Sequence, residues 1–592
     1  MASSEPKNKV FITLNDHLGA LYKYPSSTSQ DTELYMITRY ALTQIADFSL
    51  TPEDCLHLTT KIYHVLPLLN PPSTEIIQLL QRLVERVPIE GILDIEPPVD
   101  FAAGLQIGSG VITDFNNLTI SLLEKADETS ARRLAANHRE MWESLIHLWL
   151  RTSNIALGVR AGIALFRLIK TAQDDGFKRF FLDRDVYAAV FDVCSSKSSA
   201  VKLDRSERSI AQSRLLDFMA KLCELDWKQS MKSHQVEVES KYGLKSDEGL
   251  LDFAMIRATD FEQDIILERT RIMSQSIIML SQKDKPWTGL ESPALVFFKE
   301  RGLHKRAMDI FYMADPNMPQ IDINILYTEC AAYVSTLAEV QPQLLEEKHV
   351  VRDRILKRLR ESFTTSNWAN TNNPDQLLIA NLGVLKSLPR SCFMDEGFEI
   401  LKTIKWEMPQ AQGVRSLGRI FGGPTEDKHD QTSIDPDYAP KLNINEEKKR
   451  ARLLFSQWIT INGDFLAKLA RNGNKMVDPD MAIASMDALL NIVNSNWDES
   501  PDGFEILMAN SASREALLTL LLTQPQIPPR SNDHLDSLYE LMGRVRLALL
   551  KAVVGKVKGT EWESLAPALS SRVNAVQSRE FAQNMATLGG PS

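Results

Sequence analysis

The segment from Ile155 to Ala172, IALGVRAGIALFRLIKTA, is apolar on more than one side of a helix, and this restricts the folds open to the chain. At about 100° per residue, two adjacent apolar stripes leave only a narrow polar edge, which includes Arg160 and Arg167. The first stripe is Val159, Ile163, Phe166 and Ile169, and the second is Ala161, Leu165, Leu168 and Ala172. A lone surface helix needs only one such stripe. Two buried stripes predict neighbours on two sides, as in a large globule or in the inner helix of a stacked array.

Chain length narrows these alternatives. A single hydrophobic core rarely grows beyond about 250–300 residues, and this chain has 592. It therefore forms either several globular domains or one elongated helical array. The 26 glycines and 27 prolines are not gathered into long linkers, which favours the array.

The rest of the sequence repeats a helix–break–helix rhythm. Thr51 is a predicted N-cap followed by Pro52 at the first helical position, and the prolines at 71–72 separate this helix from the next one. Helices of about 10–20 residues then alternate with short breaks, without the alternation typical of strands. A spacing near 40 residues without a fixed repeated dipeptide fits the HEAT/armadillo class. We predict an all-α, curved, HEAT/armadillo-like α-solenoid of stacked antiparallel helix pairs; a multi-domain all-α globule is the alternative.

Two composition changes suggest how the array is divided. The seam SQKDKPWTGLESP at 281–293 predicts an N-terminal solenoid arm over 1–290 and a C-terminal arm over 291–592. The polar segment 421–447 is rich in Gly, Pro, Asp and Thr, and predicts a mobile insertion in the second arm.

Cysteine spacing and the N-terminal residues indicate the compartment, and net charge indicates which class of partner is disfavoured. The five cysteines lie far apart in sequence, which excludes Cys-x-x-Cys metal sites and predicts buried free thiols. The N-terminal residues lack an apolar signal region, and no apolar run approaches the roughly 20 residues of a membrane helix. We expect a cytoplasmic location, with the nucleus as the alternative. A net charge of −10 and a pI of about 5.6 disfavour nucleic-acid binding.

Signatures of catalysis are weak. The sequence contains no phosphate-binding loop, no Gly-x-Gly-x-x-Gly and no His-Glu-x-x-His, and Ser109 lacks the Gly-x-Ser-x-Gly frame of an exposed nucleophile. The row Asp260, Asp264 and Glu268 leaves three interpretations open: paired acids, a docking strip for a basic partner, or a solvated face. Basic runs at 131–139, 352–361 and 446–452 favour solvated faces over phosphate contacts. We predict a protein that is not an enzyme, with no catalytic residues, metal, cofactor or small-molecule substrate.

Four stretches in order along the chain carry a family resemblance. They are SHQVEVESKYGL (233–244), GLLDFAMIRATDFEQDIILE (249–268), SPALVFFKERGLHKR (292–306) and a late stretch over 451–497. Together they resemble the fungal members of a family named for mismatch repair and spontaneous mutability, the proteasome non-ATPase subunit 5-like chaperones. The resemblance implies a C-shaped HEAT-like solenoid that grips the C-terminal domain of one 26S proteasome ATPase subunit during assembly of the regulatory-particle base. Where the family pattern has His and Pro after the first His, this chain has Gln235 and Val236.

The predicted function follows from the resemblance. We expect a non-catalytic scaffold or chaperone whose concave face binds a proteasomal ATPase subunit; a DNA mismatch-repair factor acting through protein or nucleic-acid binding is the alternative. An enzyme of another type is a third hypothesis, which a pocket of converging titratable groups would favour. Candidate partner contacts lie on the opening helix and in the resembling segment, where they offer charge and an aromatic anchor. They are Arg160, Arg167, Lys241, Tyr242, Asp252, Asp260 and Asp264.

Overall fold

The computed structural model describes most of the chain. The described residues are 9–24, 32–45, 50–69, 72–196, 201–258, 261–283, 285, 287, 290–345, 349–365, 376–407, 410–424, 443–475, 477–495, 497, 499–523 and 533–588. Within them the secondary structure is helical, with short 3₁₀ and π turns, and no β-strand occurs in these ranges. The contacts divide the chain into two compact units, unit 1 over Met1–Ser274 and unit 2 over Gln275–Ser592.

The helices of unit 1 run from α1 to the first part of α16. They are α1 (Lys9–Lys23), α2 (Thr32–Gln44), α3 (Pro52–Val65), α4 (Thr74–Val84), α5 (Ile89–Leu93), α6 (Val111–Leu123), α7 (Glu128–Asn137), α8 (Arg139–Arg151), α9 (Ile155–Thr171), α10 (Gln173–Phe177), α11 (Arg184–Cys194), α12 (Arg205–Leu225), α13 (Trp227–Met231), α14 (Val236–Lys241), α15 (Leu250–Asp252) and α16 (Ile265–Leu280).

The helices that follow belong to unit 2. They are α17 (Pro293–Glu300), α18 (Leu303–Phe311), α19 (Gln320–Val340), α20 (Val350–Thr365), α21 (Gln376–Ser387), α22 (Phe398–Thr403), α23 (Ala411–Phe421), α24 (Ile444–Ile461), α25 (Phe465–Asn472), α26 (Pro479–Val493), α27 (Gly503–Ala509), α28 (Ser511–Leu522), α29 (Asp533–Val557) and α30 (Ala566–Leu588).

Local sequence signals explain where many of these helices begin. Thr51 caps α3, where it accepts a hydrogen bond from the Asp54 amide while the Asp54 carboxylate accepts one from the Thr51 amide. Asn154 caps α9, because its side-chain oxygen accepts a hydrogen bond from the Leu157 amide at 3.1 Å. Each cap satisfies amide groups that the first helical turn leaves without partners, so short polar breaks are sufficient to restart a helix.

The helices stack in rows, as expected of a solenoid. In unit 1, α2, α4, α6, α9 and α12 each pack against the next member of the row, and α8 packs behind α9 and against α11. In unit 2 the corresponding row is α19, α21, α23, α26 and α29. Each helix therefore buries its apolar surface against the partner of its own pair and against neighbouring pairs, and the fold is an all-α HEAT/armadillo-like α-solenoid.

Basic side chains join successive helix pairs by capping the C-termini of neighbouring helices. Arg214 on α12 donates to the carbonyls of Trp149 (2.7 Å) and Thr152 (3.0 Å) at the end of α8. Lys125 donates in the same way to the Val84 carbonyl (2.6 Å) at the end of α4. Arg546 donates to the Thr523 carbonyl (2.5 Å) after α28. The last carbonyls of a helix lack partners and carry partial negative charge, so a cation satisfies both needs.

Burial lowers the pKa of these capping groups. It lowers the pKa of Lys125 and of Arg214, and it lowers the pKa of Arg546 to about 10 with help from the charge of Arg572. Arg390 in unit 2 repeats the arrangement, with bonds to the carbonyls of Arg419 (3.0 Å) and Ile420 (3.3 Å) at the end of α23. A solenoid without a sequence code thus still uses a recurring physical device between its repeats.

The segment predicted as a mobile insertion is structured at both ends. Phe421 is buried as the last residue of α23, and Glu447 is buried in the first turn of α24, where it accepts a hydrogen bond from the Arg390 amide at 2.9 Å. Residues 425–442 lie outside the described part of the chain. The division into arms at residue 290 stays a prediction.

Two further expectations concern thiols and membranes. The five cysteines are buried and free, as predicted, and burial raises the pKa of the Cys392 thiol to about 12. Among the described helices, none combines the length and the apolar character that crossing a bilayer requires.

Candidate functional site

Helix α9 is enclosed on three sides and open on the fourth. Helix α8 packs behind it with α7 and α10, α6 and α12 flank it, and the remaining face is exposed to solvent. On the α12 side, Phe166 meets Phe218 edge to face with ring centroids 6.4 Å apart. On the α6 side, Arg160 donates to Glu124 (2.7 Å) and to Ser121 (3.1 Å). These contacts set α6, α9 and α12 side by side, with Arg160 in the first half of α9 next to the C-terminal end of α6.

The row extends to α16. The Ser209 hydroxyl on α12 donates to the Asp264 carboxylate at 2.8 Å, and Arg205 donates to the Gln263 carbonyl at 2.7 Å. Asp264 in turn caps α16, because its carboxylate accepts from the Leu267 amide at 3.2 Å. The N-terminal turns of α12 and α16 therefore lie next to each other, and α6, α9, α12 and α16 follow one another in unit 1.

Each of these four helices carries at least one exposed aliphatic side chain. These side chains are between 38% and 71% exposed, although a folded chain normally buries such groups. The residues, which we call the aliphatic edge, are Ile112, Ile155, Val159, Ile163, Ile210 and Ile266. Fully burying one such side chain stabilises a folded or bound state by about 1.5–3 kcal/mol. Ile155, Val159 and Ile163 form a continuous line on α9, and a contiguous exposed apolar surface is typical of a site that another molecule covers.

The exposure of this edge corrects one expectation from the sequence. The stripe that contains Val159 and Ile163 was predicted to be buried, and this is wrong for both residues, which are about half exposed. The second stripe is confirmed as buried, with Ala161, Leu165 and Leu168 at 1% exposure or less. The apolar width of α9 reflects three packed sides plus an uncovered apolar face.

The two arginines predicted on α9 have different surroundings. Arg160 is half-buried and held by Glu124, Ser121 and Asn117, so it links α9 to α6. Arg167 is exposed beyond the aliphatic edge, near the C-terminal end of the same helix. The structure thus brings Arg167, and not Arg160, to the open surface.

Residues 233–252, which include parts of the first two resembling stretches, pack against α11. Glu239 is 1% exposed, and its carboxylate accepts hydrogen bonds from the Tyr187 hydroxyl (2.8 Å) and the His234 amide (2.9 Å). Burial and the neighbouring Glu239 raise the pKa of Tyr187. The His234 ring stacks on Phe181 with centroids 4.3 Å apart, and burial lowers the pKa of this His.

The predicted contact residues of this segment occupy different environments. Tyr242 is half-buried, stacks on Phe191 and donates its hydroxyl to Asp192. Asp252 is fully buried, and its carboxylate accepts from the Gly249 amide at 3.2 Å. Lys241 is exposed. Asp264 is the half-buried cap of α16, and Asp260 lies outside the described residues. The structure places Asp252 and Tyr242 in the packing of unit 1 and does not gather the set at one surface.

Clustered titratable groups elsewhere in unit 1 are paired. In the described residues, carboxylates close enough to share a metal ion come from Glu143, Asp183 and Asp185. Arg139 contacts all three of them, and Arg179 also pairs with Asp183. A cavity of about 330 Å³ beside them is lined by side chains that include Lys178, Leu182 and Ala135. This cluster is an ion-pair network between α8, α11 and the turn that precedes α11.

Comparisons with known proteins concern the fold. No protein-family model matches the chain, and no curated protein matches its sequence. A crystal structure of Kap121p bound to Nup53p is similar at 11% identity and a TM-score of 0.38, covering 94% of this chain and 55% of that one. A complex of SYS-1 with POP-1 is similar at 11% identity and a TM-score of 0.22, covering 95% and 88%. The chain spans about half the length of the Kap121p chain it matches.

Proposed function

We propose that this α-solenoid is a non-catalytic scaffold that binds a protein partner through the aliphatic edge of unit 1. The observation that carries the proposal is the uncovered row of side chains from Ile112 to Ile266 on four neighbouring helices. A stable complex buries about 1,600 Å² or more in total, with an apolar core and a polar rim. An apolar row bordered by charged side chains such as Arg167 fits that anatomy.

The specific partner that we propose is the C-terminal domain of a 26S proteasome ATPase subunit, bound as an assembly chaperone binds its client. The resemblance of residues 233–244, 249–268, 292–306 and 451–497 to that chaperone family supports this choice. The mechanism would be steric, because a bound solenoid covers client surfaces that later contact other subunits. Release then requires a competing interface, and no covalent bond changes.

A binding assay with the full chain tests both levels of this proposal. The purified protein would be presented with each proteasomal ATPase C-terminal domain in turn, and we expect one domain to be retained. Val159→Asp and Ile163→Asp should each weaken binding at least about tenfold, because a buried carboxylate lacks a partner. The matched control is Val477→Asp, which changes a 98% exposed residue of unit 2.

The outcomes separate the two levels. If no ATPase domain is retained, the proteasomal partner is wrong. If a domain is retained equally by the edge variants and by Val477→Asp, the aliphatic edge is not the binding surface. Binding of duplex DNA with a steep loss of affinity as salt rises would favour the mismatch-repair alternative instead.

A further inference from the structure

The exposed face of α9 changes character along its length. Ile155, Val159 and Ile163 follow one another at intervals of four residues, which places them in a line about 12 Å long on one face. Arg167 continues the same interval, and Lys170 lies one turn further along; both are exposed. The open face is therefore aliphatic over its first two turns and basic at its C-terminal end.

The basic end of this face has no internal counter-charge. Arg160 is neutralised by Glu124 at 2.7 Å, whereas neither Arg167 nor Lys170 forms an ion pair with any residue that the structure describes. The neighbouring helix α12 exposes Asp217 and Lys221 at this level, one of each sign. With the exposed Asp174 of the neighbouring α10 included, the exposed cations Arg167, Lys170 and Lys221 still outnumber the exposed anions, which leaves a net positive charge next to the aliphatic edge.

We infer that the segment seated on α9 is an amphipathic α-helix, antiparallel to α9, whose acidic N-terminal turn lies against Arg167 and Lys170. This inference rests on the proposed function and specifies the chemistry of its ligand. A helix of about 15 residues spans the distance of about 22 Å from Ile155 to Lys170. Its apolar side chains at intervals of three and four residues would pack between α9 and α12, as helix-in-groove ligands do.

Charge and dipole fix the orientation. Acidic residues stabilise a helix when they lie in its first turn, so an acidic N-terminal end is compatible with the ligand's own helix. In the antiparallel arrangement that end meets the two cations, and its apolar stripe meets Ile155, Val159 and Ile163. A ligand with basic residues at the same end would instead place like charges together.

The test uses designed peptides rather than an assumed natural partner. The probe is a fluorescein-labelled, amidated helix with leucines at intervals of three and four residues and two Glu in its first turn. A second peptide carries two Lys at those positions, and a third replaces the leucines by alanine. Binding to the full-length protein is followed by fluorescence anisotropy, and circular dichroism confirms that each protein variant is folded.

We expect the Glu peptide to bind at least about tenfold more tightly than the Lys peptide, a difference of about 1.4 kcal/mol. The double variant Arg167→Glu/Lys170→Glu should reverse this preference. Ile163→Asp should weaken the binding of both leucine peptides, whereas Val477→Asp should leave their binding unchanged. The alanine peptide should bind weakly to every variant.

Three results overturn the inference. They are equal binding of the Glu and Lys peptides, unchanged binding to Ile163→Asp, and no binding of either leucine peptide up to about 1 mM. Selective peptide binding without retention of any proteasomal ATPase domain would sink the specific partner and leave this inference standing. Retention of such a domain without charge-selective peptide binding would support the specific partner and overturn this inference.

Discussion

Helix α9 in unit 1 and helix α26 in unit 2 occupy similar places in their rows, yet they differ in how much apolar side-chain surface they expose to solvent. On α9 the open face carries Ile155, Val159 and Ile163, each about half exposed or more. On α26 every residue is buried or half-buried. Among the described residues of α19, α21, α23 and α26, the large apolar side chain that is comparably exposed is Ile321. The solenoid architecture therefore does not require an exposed aliphatic row, and the row in unit 1 calls for a functional explanation.

The contacts between neighbouring helices of the two rows also differ. Gly418 on α23 lies against Ala488 on α26, so closely that a Cβ at Gly418 would be 2.6 Å from the Ala488 Cα. Arg415 on α23 pairs with Asp480 on α26 at 2.6 Å. Close helix packing with polar side chains at the rim leaves little apolar surface on this part of unit 2. In unit 1, the larger Arg160 and Phe166 lie between the helices.

The largest expected effect of a surface or interface substitution comes from adding bulk at the close contact between α23 and α26 in unit 2. Gly418→Val should lower the free energy of unfolding by about 3 kcal/mol, because the new side chain meets backbone that cannot move aside easily. Differential scanning calorimetry would measure the loss. Gly383→Val on α21 is the control, since a Cβ there meets no atom within 4 Å. Equal stability of the two variants would contradict the close packing of α23 on α26.

A second large effect depends on pH and concerns His304 of unit 2, which is largely shielded from solvent. Burial, with the charge of Lys299, lowers the pKa of His304 in unit 2 from 6.5 to about 4. Between these values the unfolded chain binds a proton that the folded chain does not, so stability is complete above about pH 6.5 and falls as pH decreases to about 4. The loss should be about 3 kcal/mol.

The test compares denaturant unfolding of the wild type and His304→Asn from pH 7 to pH 4. Asn keeps an acceptor for the Tyr333 hydroxyl, which lies 2.9 Å from the His304 ring, but it does not titrate. We expect a shallower pH dependence in the variant. Parallel plots of the free energy of unfolding against pH would show that His304 does not contribute to the pH dependence of stability.

A smaller effect tests the basic caps that join the repeats. Arg214→Met should destabilise the protein by about 2 kcal/mol, since the Trp149 and Thr152 carbonyls lose a charged donor. Arg167→Met is the matched control, because the exposed Arg167 has no ion pair among the described residues, and it should change stability by less than about 0.5 kcal/mol. Urea unfolding of both variants measures the contrast, and similar losses would remove the capping explanation.

The smallest expected effect is the most informative for the aliphatic edge. Ile163→Thr should change the free energy of unfolding by less than about 0.5 kcal/mol, because the side chain is already half exposed. Leu165→Ala, two residues further on and fully buried, should cost about 2–5 kcal/mol. Thermal unfolding followed by circular dichroism separates the two. A large loss for Ile163→Thr would mean that the edge serves the fold.

Much of the local structure was predictable from residue type. The sequence predicts a helix over 155–172, and the structure has α9 at Ile155–Thr171. Thr51 and Pro52 mark the start of α3 as predicted, because capping and proline geometry act within a few residues. The role of Tyr242 in packing was not predictable, because its partner Asp192 lies on another helix, far away in sequence.

The aliphatic edge was missed for a related reason. A helix that is apolar all round looks the same in sequence whether its fourth side is covered or open. The available signal was the presence of Ile112, Ile155 and Ile266 in the first turns of their helices. That signal becomes meaningful only once the neighbours of each helix in unit 1 are known.

The sequence by itself determined the helical class, the positions of many helices, the free thiols and the repeating rhythm of a solenoid, because these depend on short-range periodicity and composition. Only the tertiary structure decided which apolar stripe is covered, which cations cap neighbouring helices and which of the predicted contacts reach the surface. Those features depend on pairs of residues separated by tens of positions, such as Arg160 with Glu124 and Arg214 with Trp149. The packing of one helix against the next brings such pairs together, and hydrophobic periodicity along a single helix does not specify them.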